Sequence, residues 1–153
     1  MIFEYNEINV KRTYYSAFSP QQGTLLEARP AEALWRERRL YQMDWLYRVY
    51  GFRPSEIRYA FDESGFLPNS DPKMAIAREF LDLPLDPNRA SYQQLLRVPG
   101  IGPKSARRII ARRKSQAILS RRELAILGVR IRKAAPFLKI NGWTEATLER
   151  WQA

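Results

Sequence analysis

The sequence predicts a mainly α protein, a bundle of short helices joined by glycine turns with an N-terminal strand-plus-helix extension. Three observations carry this expectation. Between residues 88 and 139, helix-capping signals alternate with glycines at a repeating interval. Leu40, Met43, Leu46, Tyr47 and Tyr50 recur at spacings of three and four, the period of a helix with one apolar face. Val10 to Phe18 is rich in aromatic and β-branched residues, the composition of a strand.

Taken in chain order, the strand closes at Pro20 and Gly23, and a helix follows from about Pro30 to Tyr50, with Gly51 at its C-terminal cap. Trp35, Tyr41, Trp45 and Tyr47 lie on that helix and read as core rather than as a base-stacking surface. Pro54 and Pro72 read as first-turn prolines of short helices, with Ser70 or Asp71 capping the second. The proline-bearing segment LDLPLDPN has no helical period and reads as a linker.

Beyond it, Ser91 with Gln94 forms a capping box, and Pro99 stops the helix it starts. Pro103 opens a helix to Arg113 with Ala106, Ile109 and Ile110 inward. Ser120 with Glu123 is a second capping box, whose helix ends at Gly128. A fourth helix is expected from about Arg130 to Phe137, and Thr144 is expected to cap a last one bearing Leu148 and Trp151. The organisation expected is therefore a strand segment at 1–30, a helical region at 31–82, a linker at 83–87, a basic module at 88–139 and a helical tail at 140–153.

The module contains an internal repeat. Leu96, Gly100, Ile101 and Ala106 recur at the same spacing as Leu124, Gly128, Val129 and Ala134. The second copy is degenerate, because Arg130 stands where the first has Gly102.

Composition narrows the function classes. There is no Cys, which removes disulfides, thiolate chemistry and Cys-ligated clusters. There is no His, which removes the usual neutral-pH base and the commonest metal ligand. No cofactor or metal is expected, and no catalysis in this chain alone. The net charge of +10 is unevenly placed. Residues 88–139 hold 14 Lys and Arg against one acid, Glu123, while residues 1–87 are slightly acidic. A basic face of that purity reads as a footprint for a polyanion. No apolar run is long enough to span a membrane, and the N-terminus lacks the order of a secretory signal, so a cytoplasmic location is expected.

The expected anion site is the run Val98-Pro99-Gly100-Ile101-Gly102-Pro103-Lys104-Ser105-Ala106. Two glycines permit a tight turn and close backbone approach, Ile101 anchors the turn, and the turn feeds a helix N-terminus whose free N–H groups favour an anion. Pro103 has no N–H, so the donors expected are Gly100, Gly102, Lys104 and Ser105. Lys104, Arg107, Arg108 and Arg112 extend the positive field. By the repeat, Gly128, Arg130, Arg132 and Lys133 are expected to form a second phosphate site.

These residues resemble the helix-hairpin-helix family of DNA repair and DNA uptake proteins, in two copies over 88–138. The resemblance implies a tandem helix-hairpin-helix bundle that grips DNA phosphates without reading sequence. Lys104 stands where lyase-active glycosylases of this type keep a Schiff-base lysine, but the acidic residue and the loop they also need are missing, and Glu123 serves as a cap. More widely, KRTYYSAFSPQQGTLL and WRERRLYQMDWLYRVYGFRPSEI together with the module resemble the C-terminal end of putative DNA modification or repair radical-SAM proteins. In those proteins a barrel with a cysteine-ligated cluster comes first. No residue here can hold that cluster, so the resemblance implies a separate radical-SAM barrel chain, or a remnant that keeps DNA binding. Exposed Tyr14, Tyr15 and Phe18 would then be covered by such a partner or by a homodimer, or else residues 1–60 fold back on the module. A protein–protein module in a repair complex is the remaining alternative.

Overall fold

The computed structural model describes residues 10–81 and 84–144. Among them are seven α-helices: α1 (Leu34–Arg48), α2 (Pro54–Ile57), α3 (Pro72–Phe80), α4 (Tyr92–Arg97), α5 (Pro103–Ser115), α6 (Arg121–Ile126) and α7 (Ile131–Ala134). Two 3₁₀ turns extend α2 and α7, at Arg58–Ala60 and Ala135–Phe137. The fold is mainly α, as the sequence predicts.

Helix α1 buries Met43 and Leu46 on its apolar stripe. Gly51 turns the chain in the left-handed region at φ +66°, which brings the Phe52 amide onto the Leu46 carbonyl at 3.0 Å. Met43, Leu46, Phe52, Ile57, Ala60 and Ile76 make a small core. The α1 aromatics depart from expectation, since Trp35, Tyr41 and Tyr47 are only partly buried and Trp45 is 53% exposed. Tyr47 still packs against this core, whereas Trp45 lies away from the Met43 and Leu46 side and is surface.

Residues 10–18 form no ladder, which corrects the expected strand. The strand pattern survives as alternating burial, with Thr13, Tyr15 and Ala17 half-buried and Tyr14 exposed. Among the described residues, no strand pairs with it. Side chains of α1 satisfy its backbone instead: the Tyr15 amide donates to the Tyr41 hydroxyl at 3.1 Å, and the Ala17 amide donates to the Glu37 carboxylate at 3.0 Å.

Asp71 caps α3 by accepting from the Lys73 amide. This helix joins the two halves of the protein, because Ile76 sits in the small core while the neighbouring Ala77 sits in the larger one. The larger core is that of the hairpin region, with Leu95, Leu96, Val98, Ile101, Ala106, Ile109, Ile118 and Leu124 at or below 1% exposure. Residues 34–80 thus fold back on the hairpin region.

Both capping boxes form as expected, Ser91 with Gln94 and Ser120 with Glu123. The segment read as a linker is stitched down. The Leu85 amide donates to the Phe137 carbonyl at 2.8 Å, and the Lys139 amide donates to the Leu85 carbonyl at 2.9 Å, a parallel bridge between Leu85 and Leu138. Asn88 clamps Ile118 with two 2.8 Å hydrogen bonds.

The expected helical tail is corrected at its start. Lys139–Ile140 and Trp143–Thr144 pair as an antiparallel hairpin in the register Lys139↔Thr144 and Ile140↔Trp143. Asn141 and Gly142 have φ of 50° and 80°, the backbone a two-residue twisted turn requires. Thr144 is therefore in a strand. Leu148 and Trp151 lie outside the described residues.

Candidate nucleic-acid interface

Helices α4 and α5 are joined by the turn Gly100-Ile101-Gly102. Pro99 cannot continue α4, and Gly100 takes φ +83°, which reverses the chain. Ile101 is buried and its amide donates to the Val98 carbonyl at 3.2 Å, so it anchors the turn in the core. Pro103 then starts α5. Gly100 and Gly102 are half-buried, and Lys104 is exposed.

Four amides at this turn have no acceptor among the described residues: those of Gly100, Gly102, Lys104 and Ser105. The next amide, Ala106, donates to the Gly102 carbonyl at 2.8 Å and begins the helical ladder. Four free donors at the positive end of a 13-residue helix form a ready seat for an oxyanion.

Helices α6 and α7 repeat the geometry with a different outcome. Gly128 has φ +87°, Val129 is buried, and Leu124 and Ala134 are fully buried, matching Gly100, Ile101, Leu96 and Ala106. The amides at this second turn are engaged. Gly128 donates to the Ala125 carbonyl at 2.9 Å, and Arg130 donates to the Gly100 carbonyl at 3.0 Å. In return the Ser105 hydroxyl donates to the Gly128 carbonyl at 2.7 Å. Each turn braces the other, and only the first keeps a full set of open donors. The Arg130-for-Gly102 difference in the sequence was the visible sign of that asymmetry.

The basic residues also divide. Lys104, Arg107, Arg108, Arg130 and Arg132 form no ion pair with any described residue, and all five are exposed. Arg112 contacts Glu123 at 3.4 Å and Gln116 at 2.7 Å. Lys133 pairs with Asp71 at the start of α3. Ser105 is buried and its hydroxyl is committed to the Gly128 carbonyl, so its contribution to the seat is the amide. Two further cations of the basic stretch are structural. Arg97 reaches Glu56, and Arg113 donates to the carbonyls of Pro87 and Ala90 at 2.9 and 2.6 Å. Glu123 is held ionised below its usual range, first by the Leu119 amide and then by the Ser120 hydroxyl, as its cap role requires.

Sequence reasoning missed Lys73. Its ammonium lies beneath the turn, donating to the Ile101 carbonyl at 2.6 Å and sitting 4.6 Å from the centre of the Tyr50 ring. Burial is the main cause that pulls its pKa down from 10.5 to about 7, against Asp71, which raises it. Below about pH 7 the fold must hold a buried ammonium, so the lost stability is largest there. As pH rises from about 7 towards 10.5, the unfolded chain still carries a proton that the native state lacks, and stability rises. Between pH 7 and 9 this single group should add about 2 kcal/mol. Urea unfolding of Lys73→Met at both pH values should lack that rise, and an equal rise in variant and parent would refute the assignment.

A family model described as a helix-hairpin-helix motif matches residues 84–129. The match begins inside the segment that packs against Phe137 and ends just past the Gly128 turn. No curated protein and no solved structure matches the chain.

Proposed function

We propose that the protein binds DNA without sequence preference, seating a backbone phosphate on the Gly100–Ser105 turn. The observation that carries this reading is the set of four open amides at the start of α5, flanked by the unpaired cations Lys104, Arg107 and Arg108. The helix-hairpin-helix match over residues 84–129 supports it. A phosphate oxygen accepts from the amides, and the cations replace its counterions. Gly128 with Arg130 and Arg132 would form the second half of a tandem pair. There Arg130 and Arg132 contribute side-chain charge, while the turn itself supports the first hairpin.

Affinity should fall steeply with salt. Five unpaired cations, each neutralising one phosphate, give a slope of log K against log salt of about −4.5. Duplexes of equal length and different sequence should bind alike. Fluorescence anisotropy at several salt concentrations reads both. A flat salt response would reject the reading, and so would an unchanged slope in the variant Lys104→Ala/Arg107→Ala/Arg108→Ala.

A second reading adds a partner. Tyr14, Leu25, Leu26 and Leu34 are exposed apolar residues gathered in the N-terminal quarter. Their exposure favours a surface covered by another chain, as the resemblance to radical-SAM repair or modification proteins would have it. DNA binding would then deliver that partner to its substrate. Light scattering of the protein alone, and after mixing with a barrel-bearing chain, separates a homodimer from such a complex.

A further inference from the structure

A cavity of about 570 Å³ lies between α1 and the glycine turn. Its size falls within the range of about 300–1,000 Å³ typical of small-molecule sites. One wall is a single face of α1, carrying Tyr41, Trp45 and Arg48, and the opposite wall is Gly100, Ile101 and Gly102. Tyr50 and Lys73 also line it. The phosphate seat and the cavity therefore share the turn as a common wall.

The chemistry of this wall is specific. Trp45 is half-exposed in the last turn of a helix whose buried Met43 and Leu46 face away from it, so its indole is left open at the cavity. The acids at the cavity, Asp44 and Asp71, are each neutralised, by Arg48 and by Lys133. An open indole, tyrosines and a rim left net positive by Arg12 and the unpaired Arg130 suit a flat, polar-edged ring attached to a phosphate. That description fits one nucleotide.

We infer that the cavity takes the base of a single unpaired nucleotide, whose phosphate sits on the Gly100–Ser105 turn, with the base stacked on Trp45. This rests on the DNA-binding reading above and adds a substrate class to it. A base inside an intact duplex cannot enter without being unstacked, whereas a base in a gap or single-stranded end is already free. The protein should therefore prefer DNA with an unpaired nucleotide by about tenfold, the scale of one base–aromatic stack.

The test compares full-length protein binding to an intact duplex, to the same duplex with a short single-stranded gap, and to free thymidine monophosphate. Anisotropy reads the DNAs, and competition reads the free nucleotide. The expected result is a tenfold preference for the gapped duplex, lost in Trp45→Ala, retained in Trp45→Phe, with intact-duplex affinity unchanged in both. Equal affinity of the wild-type protein for gapped and intact duplex would overturn this inference and leave the DNA reading standing. Binding to neither DNA would overturn both. Saturation by thymidine monophosphate, sensitive to Trp45→Ala and without any gap preference, would assign the cavity to a free nucleotide and also overturn it. The wild-type comparison needs no variant, so a folding defect in Trp45→Ala cannot hide the outcome.

Discussion

Gly100→Ala should destabilise the protein by about 3 kcal/mol and remove DNA binding with it, in a urea melt and an anisotropy titration run side by side. Two effects add. The residue sits at φ +83°, where an L side chain costs about 1–2 kcal/mol. An added Cβ would also lie 2.5 Å from the Arg130 carbonyl and 3.2 Å from the Cβ atoms of Arg130 and Lys133. That contact is with backbone, which cannot swing aside, and crowding of this kind costs about 1–3 kcal/mol more. The Arg130 carbonyl accepts from the Lys133 and Ala134 amides, so displacing it disturbs the start of α7. A wild-type melting midpoint for this variant would mean that the two turns do not touch. Gly102 behaves differently. Its φ is −110°, and an added Cβ would meet only the Tyr50 hydroxyl at 3.2 Å. Sequence reasoning gives both glycines the same two roles, a tight turn and close ligand approach, whereas the structure places the folding role on Gly100. Gly102→Ala is the substitution that tests phosphate approach with the fold preserved.

Arg97→Ala should cost about 3–5 kcal/mol, the usual penalty for stripping one partner from a buried ion pair. Arg97 and Glu56 side chains are 11% and 2% exposed and meet at 2.7 Å. The guanidinium also donates to the Gly51 carbonyl at 2.9 Å and stacks over the Phe52 ring at 4.7 Å. Burial works to raise the Glu56 pKa, but the Arg97 hydrogen bond and charge and the Arg53 amide together hold it below the usual value. Stability from this carboxylate is thus present above its ordinary pKa of 4.5 and is lost as the solution is acidified. Removing both charges together, as Glu56→Leu/Arg97→Met, should destabilise less than Arg97→Ala alone. If the single and double variants unfold at the same urea concentration, the pair is not what fastens α2 to α4.

Local signals in the sequence translated faithfully. The two capping boxes, the helix-opening prolines and the positive-φ glycines each depend on a few adjacent residues, and each formed where expected. The repeat of Leu96-Gly100-Ile101-Ala106 could be read because one buried geometry is used twice. What could not be read was allocation across the fold. Arg97, Arg112, Arg113 and Lys133 look like any other cations in a basic stretch, and only the arrival of Glu56, Glu123, Pro87 and Asp71 engages them. Trp45 has the spacing of a core residue, yet the core formed on the Met43 and Leu46 side. Val10 to Phe18 has strand composition, but a strand needs a neighbour. Asn141-Gly142 was legible, since that dipeptide between apolar residues is the strongest short hairpin signal, and the helical cap reading of Thr144 obscured it. Lys73 carried no signal at all, because its burial depends on α3 packing beneath a turn 28 residues away.

The Leu85–Leu138 bridge sets the polypeptide's way in and way out of the hairpin region side by side, about 4.8 Å apart as in any pair of adjacent strands. Because the bridge is parallel, the entering and leaving chains run in the same direction there and depart from opposite ends of the pair. Tension applied through the flanking chain would fall on those two hydrogen bonds before it reached the glycine turns.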